Sequence, residues 1–336
     1  MSLAIVGTGL VSPAGLTPHA HACVLWAGAL PPSASPFLDE GGEPVRVVYS
    51  PWLGARLDMP SRLLAMAERA LGDALRPLRA LAPDAAPALL VCSAPERPGL
   101  SSADHERIAR DLGRVAGARE VTSCHGAAGV FAALGEAEAR LSEGAGAVAI
   151  VALDSYVGED ALAAHVESPP NPWGAEGAPP AEGAAALVAT TAHEAQRIGL
   201  EVLGAIRYAG TAIGASNDAN DLPTDGEAMT SLLRQLPPLR APWVFGPTLA
   251  DPLRRAEWQM AVARSPARFH PEHEVRSIET DLGLVGAASG AMNLVYGLAV
   301  LRHRTTDMPV RDSDPFLAWA ISPDGTRGLA AVSLKP

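Results

Sequence analysis

Several residues in this chain are of types that could do chemistry. Cys124-His125 stands just ahead of an apolar stretch with helical spacing. There the positive end of a helix could lower the thiol pKa, and His125 or a histidine distant in sequence could act as base in acyl transfer or thioester hydrolysis. The structural alternative is a small buried cysteine beside a loop histidine, because free cysteine is among the most buried residue types. His270 and His273, in Phe-His-Pro-Glu-His-Glu, are metal-ligand types. No paired cluster stands elsewhere and no CxxC spacing joins Cys23, Cys92 and Cys124, so a solvated loop and no metal site are expected. Gly7 and Gly9 follow an apolar run, as in a dinucleotide-binding loop. The third glycine of that pattern falls on Ser12 or Pro13, and a proline there interrupts the helix that should receive the pyrophosphate. Asp154-Ser155-Tyr156 offers a hydroxyl with no base positioned by sequence, which a strand-end turn explains. The sole lysine is Lys335, so no internal amine exists for a Schiff base or a proton shuttle, and no cofactor is implied.

The elements that must position these residues alternate between strand and helix. Leu3–Gly7, Ala88–Cys92 and Ala184–Thr190 are short apolar runs of the kind found in strands covered on both faces. Leu63, Ala67, Ala70, Leu71, Leu75 and Leu78 recur at helical spacing. Residues 31–58 and 168–181 are rich in Pro, Gly and Ser and read as loops or extended surface excursions, not core elements. The Asp251 to Glu257 stretch reads as a charged helix face. A pattern then repeats. Gly126-Ala-Ala-Gly-Val-Phe opens a helix that ends near Gly144, followed by the apolar strand Ala147–Leu153 and Asp154. Gly286-Ala-Ala-Ser-Gly-Ala opens a helix through Leu301, followed by the strand Phe316–Ile321 and Ser322-Pro-Asp-Gly. The small residues at both helix starts permit close approach to another helix or a sheet. A duplicated α/β unit follows, with halves 1–195 and 196–336.

Composition excludes several classes. With 336 residues, 48% of them hydrophobic, the chain can bury a substantial core. The formal net charge of −11, with no basic run longer than Arg254-Arg255, argues against nucleic acid as partner. An odd cysteine count fits a reducing compartment. No stretch approaches the length of a membrane span and the opening residues carry no charged leader region, so a cytoplasmic protein that does not enter the membrane is expected.

The landmarks resemble the β-ketoacyl synthases of the thiolase superfamily across nearly the whole chain. Residues 4–15 (Ala-Ile-Val-Gly-Thr-Gly-Leu-Val-Ser-Pro-Ala-Gly) resemble that family's opening strand and turn. Residues 180–187 resemble its Gly-Glu-Gly-Ala segment, and residues 281–290 its Gly-His-Gly-Ala-Ala-Gly segment. The resemblance implies a thiolase fold, with duplicated halves in a five-layered αβαβα arrangement. It also implies an acylated cysteine at a buried helix start, two histidines and a lysine. Counting back from Gly144 puts the cysteine position on or next to Ala127; the histidine and lysine positions fall on Phe245, Glu279 and Leu284. These four residues take the place of the catalytic set in the substrate-binding site, and the family's C-terminal Gly-Phe-Gly-Gly loop is replaced by Asp324-Gly-Thr-Arg-Gly.

Three roles remain open. The first is a non-condensing partner comparable to a chain-length factor, retaining acyl binding in fatty-acid or polyketide assembly. It would pair as a homodimer, or as a heterodimer with an active ketosynthase, and could meet an acyl carrier protein. The second is an acyltransferase or thioester hydrolase using Cys124 and His125. The third is a structural homodimer without a ligand.

Overall fold

Strands and helices alternate along the chain as the apolar periodicity requires. The computed structural model describes residues 3–39, 41–54, 57–166, 178–214, 225–304, 311 and 314–335. Its first half contains β1 (Leu3–Val11), α1 (Pro18–Ala27), β2 (Ser33–Leu38), β3 (Pro44–Val47), α2 (Met59–Leu81), β4 (Ala88–Ser93), α3 (Ser102–Ala116), β5 (Val121–His125), α4 (Gly129–Ser142), β6 (Val148–Ser155), α5 (Glu159–Val166), β7 (Glu182–Thr191) and α6 (Ala192–Ile198). Its second half contains β8 (Gly204–Ile213), α7 (Glu227–Gln235), β9 (Ala241–Phe245), α8 (Pro252–Arg264), β10 (Phe269–Arg276), α9 (Ile278–Leu282), α10 (Ser289–His303), β11 (Pro315–Ile321) and β12 (Thr326–Ser333).

The sheet order carries the duplication. Ten strands run β10-β9-β11-β12-β8-β1-β7-β6-β4-β5. Numbered within its own half, each set of five has the order 3-2-4-5-1. Strands 3, 2 and 4 are parallel neighbours in both sets, whereas 4-5 and 5-1 pair antiparallel. The halves join through β1 and β8, from Leu3↔Ile206 to Ile5↔Gly204. We propose that the seam between them falls at residues 195 and 196, inside α6.

Three apolar clusters define the layers. Helices α2 and α3 cover the outer face of the first five strands, and α7 and α8 cover the outer face of the second five. Helices α4 and α10 lie between the two five-stranded halves of the sheet. Residues 289–301 of α10 are all buried, the result expected for a helix without a polar face placed between layers. Full burial of side chains such as Leu294 and Val295 stabilises this layer by about 1.5–3 kcal/mol each.

Gly7 and Gly9 belong to β1, not to a phosphate loop. A Cβ on Gly7 would stand 1.9 Å from the Ala74 carbonyl oxygen, and one on Gly9 1.9 Å from that of Ala70. The two glycines let the backbone of α2 press directly on the strand. Gly9→Ala is therefore expected to lower stability by about 1–3 kcal/mol, as overpacking does. Urea denaturation measures this; a loss within about 0.5 kcal/mol would show that α2 shifts at no cost.

One local expectation is corrected and two are sharpened. Residues 31–58 hold the hairpin β2–β3, outside the main sheet, whose residues are exposed or half-buried apart from Val47 and so show little apolar face for sequence to reveal. His270 and His273 lie on the edge strand β10, not in a loop, with the His273 Nδ1–H donating to the His270 carbonyl at 3.0 Å. The helix face of 251–257 is not wholly solvated. Glu257 is 3% exposed and accepts both ends of the Arg327 guanidinium, at 2.9 and 2.8 Å. The Pro-rich stretch 168–181 lies largely outside the described residues. No helix among the described residues is long and apolar enough to cross a membrane.

Candidate functional site

The centre of the molecule is built from two turns related by the repeat. At the end of β5 the chain reverses at Gly126, whose φ of 75° lies in the left-handed region that favours glycine. Its N–H donates to the Ser93 carbonyl at 3.0 Å, and the Gly129 N–H returns to Gly126 at 3.0 Å. Residues 126–128 are thus a turn, and α4 begins at Gly129, three residues later than the spacing predicts. Ala127 sits in that turn, 8% exposed, with its carbonyl 2.3 Å from where a Cβ on Gly290 would stand. Small residues at both helix starts therefore meet directly.

Each buried helix start is capped by the other half. Ala128 offers α4 no side-chain cap; its N–H donates at 2.9 Å to the Ser322 hydroxyl, just past the end of β11. The N–H of Ala287, in the turn before α10, donates at 2.7 Å to Asp154, near the end of β6. Strands β6 and β11 hold the same place in their halves, so the two caps are equivalent. A carboxylate and a hydroxyl here satisfy amides that have no partner within their own helix.

The other matched positions are filled and internally paired. Phe245 is fully buried, edge-on to the rings of Tyr296 and Phe316 at 5.9 and 5.5 Å. Glu279, 2% exposed, accepts the Thr248 N–H at 2.9 Å and lies 3.6 Å from Arg254. Leu284 is buried, its N–H bonded to the Pro179 carbonyl and its carbonyl to the Ala181 N–H. Across from Glu279, Arg97 reaches Asp154 at 2.5 Å and lies 4.9 Å over the Tyr156 ring. Tyr156 feels both pairs. Burial, then the Asp154 charge, pushes its phenol up to about 12, with smaller effects of Arg97, Arg254 and Glu279. Two guanidiniums and two carboxylates, matched pair by pair, thus surround the half-buried Tyr156 phenol.

Cys124 and His125 are not brought together. Successive residues of a strand face opposite ways; Cys124 is half-buried and packs against the central core, whereas His125 is exposed. The His125 ring lies 6.0 Å from that of His105, which holds the Ser93 hydroxyl at 3.1 Å. The partner of Cys124 is Cys92. Among the described residues no group of three metal-ligating side chains is found.

A cleft of about 900 Å³ opens between the β2–β3 hairpin and the starts of α2 and α3, lined by Phe37, Met59, Arg62, Arg97, Leu100 and Asp104 among others. Ala127, Phe245, Glu279 and Leu284 do not line it. It touches the central charges only through Arg97.

Sequence reasoning missed Arg97, Arg254 and Ser322 as participants. Asp154 and Tyr156 read from sequence only as a strand end. The available signal was the position of Asp154 and Ser322 after corresponding strands, which marks them as equivalent.

No protein-family model matches the sequence, and no curated protein matches it. Solved structures do. The chain is similar to the ketosynthase from module 6 of the bacillaene synthase from Bacillus subtilis 168, with a TM-score of 0.77 and 13% identity over 99% of this chain and 72% of that one. It is similar to the ishigamide ketosynthase/chain length factor, with a TM-score of 0.73 and 19% identity over 100% of both chains. A third likeness is to AntDE:AntF, a type II PKS acyl-carrier protein in complex with its ketosynthase bound to the hexaketide, with a TM-score of 0.75 and 14% identity over 98% of each chain. The repeated strand order, the paired central helices and these likenesses together identify the architecture as the thiolase-like fold of the ketosynthases.

Proposed function

We propose that this chain is a non-condensing ketosynthase-like protein that works beside an active ketosynthase in polyketide or fatty-acid assembly, in the manner of a chain-length factor. The carrying observation is the state of the four matched positions. Condensation needs an acylated nucleophile and donors that hold a developing enolate, each usually worth orders of magnitude in rate. Ala127 has no nucleophile, Phe245 and Leu284 have no donor, and Glu279 is a buried carboxylate already held by Thr248 and Arg254. The exposed residues Val121, Ser123 and His125 along the open edge of β5 support pairing through this edge, with a second copy or with a related chain, because unpaired edges are a liability.

Purified protein given acyl and malonyl carrier-protein thioesters is expected to show background turnover only. Ala127→Cys alone is expected not to restore it, since the donors remain absent. Turnover well above background in the wild type, abolished by Cys124→Ala, would overturn the reading.

A second reading, acyl transfer through Cys124, has one observation in its favour. A hydrogen bond from Cys92 holds the Cys124 thiol below its ordinary range despite burial. With His125 on the opposite face, this reading lacks an adjacent base. Mass spectrometry after incubation with acyl thioesters separates the two: an acyl group on Cys124 favours transfer, and none favours the partner role.

A further inference from the structure

Cys92 and Cys124 stand on neighbouring parallel strands, β4 and β5, directly opposite one another in the register. Residues so paired point to the same face, and adjacent strands lie about 4.8 Å apart, inside the Cα separation of roughly 4.4–6.8 Å that a disulfide spans. Both side chains aim at one spot. A Cβ placed on Gly129, the first residue of α4, would stand 3.5 Å from the Cys124 Cβ and 3.8 Å from the Cys92 Cβ. Glycine there leaves the pair unobstructed. The surroundings of the two differ: Cys92 is fully buried and Cys124 is half-buried on the edge strand. The third cysteine, Cys23, is exposed on α1, where its sulfur lies 3.8 Å from the His19 ring.

We propose that Cys92 and Cys124 are a reversible redox pair, closed by hydrogen peroxide into an intrachain disulfide that ties the open edge strand to its neighbour beneath the start of α4. The roles follow from the environment. Cys124, at the edge and hydrogen-bonded by its partner, is the thiol that ionises more readily; the hydrogen bond to Cys124, and then burial, push the Cys92 thiol well up. The Cys124 thiolate attacks peroxide, forming an S–O bond as the O–O bond breaks; the departing hydroxide takes a proton and leaves as water. Cys92 sulfur then attacks Cys124 sulfur, forming the S–S bond as the S–O bond breaks, and the Cys92 proton leaves with that hydroxide as a second water. Two thiols are oxidised by two electrons and one peroxide is reduced. This chemistry does not depend on whether the protein condenses, transfers or only binds acyl groups.

The full-length protein, treated with a small excess of hydrogen peroxide and then alkylated, is expected to carry one alkyl group, on Cys23, and otherwise to have lost two hydrogens in intact mass. Digestion without reductant is expected to give a linked peptide pair carrying Cys92 and Cys124, and dithiothreitol to release it. Cys23→Ser is expected to change nothing. In Cys92→Ala the reaction is expected to stop at a sulfenic acid on Cys124, trapped by dimedone. Three results would each overturn the proposal: both cysteines alkylated after oxidation, disulfides found only between Cys23 residues of two chains, or sulfinic acid accumulating on wild-type Cys124 in place of the disulfide.

Discussion

Glu182→Ala is expected to cost about 3–5 kcal/mol, the loss that follows when one partner of a buried ion pair is removed. Glu182 is wholly buried at the start of β7. One carboxylate oxygen accepts the Ser50 N–H at 2.6 Å and Arg62 Nη2 at 2.7 Å; the other accepts Arg62 Nε at 3.1 Å and the Ser155 hydroxyl at 3.1 Å. Without it, Arg62 is a buried charge with no counter-ion, and a backbone amide 132 residues earlier in the chain loses its acceptor. Domains of this kind have only about 5–15 kcal/mol of stability in all, so the variant should be largely aggregated or unfolded near physiological temperature. Urea denaturation at low temperature measures the loss. Arg62→Met together with Glu182→Leu should recover part of it, because an apolar pair of similar volume removes the unpaired charge. A single variant as stable as the wild type would show that water reaches Arg62.

Acidification is expected to remove about 3 kcal/mol of stability through one side chain, His21. It is fully buried, with Nε2 and the Ser12 hydroxyl 2.6 Å apart and Nδ1 2.8 Å from the Thr17 carbonyl. Nδ1–H donating to Thr17 leaves Nε2 to accept from Ser12, so the fold holds the neutral ring. Burial lowers its pKa from 6.5 to about 4, against a smaller upward effect of the Thr17 bond. Between these values the unfolded chain binds a proton that the folded chain refuses. The contribution is complete above about pH 6.5 and is lost progressively as pH falls towards 4. Stability measured from pH 7.5 to 4 should fall along this profile, and His21→Asn, which does not titrate, should flatten it. An equally steep fall in the variant would assign the acid sensitivity to other groups.

The fold was legible because its signals are local. Apolar runs too continuous for one-sided strands, and the repeated small residues at 126 and 286, announced two halves with buried central helices. The turn at Gly126–Ala128 reads from sequence as the first turn of the helix because a left-handed glycine and a helix start leave the same small-residue pattern. The buried ion pairs were beyond reach for another reason. Arg62 meets Glu182 across 120 residues and Arg327 meets Glu257 across 70, and no periodicity reports such distances. What sequence does show is the anomaly of each: one acid opening the apolar strand of β7, and one arginine inside that of β12. Cys124 and His125 invited a dyad because they are adjacent in sequence, but in a strand adjacency separates side chains.

The exchanged caps carry a consequence for how the molecule comes apart. Asp154 completes the helix start of the second half and Ser322 that of the first, while β1 and β8 share one hydrogen-bonded seam. A half separated from its twin would keep its own strand order but lose the acceptor that finishes its central helix, and would bare a strand edge where the seam had been. The duplication is therefore not expected to be modular: a half on its own should not be a stable folding unit, and loosening one should remove support from the other. Local opening is cheapest away from the middle, at the outer edges β5 and β10, while the centre yields only when both halves let go together.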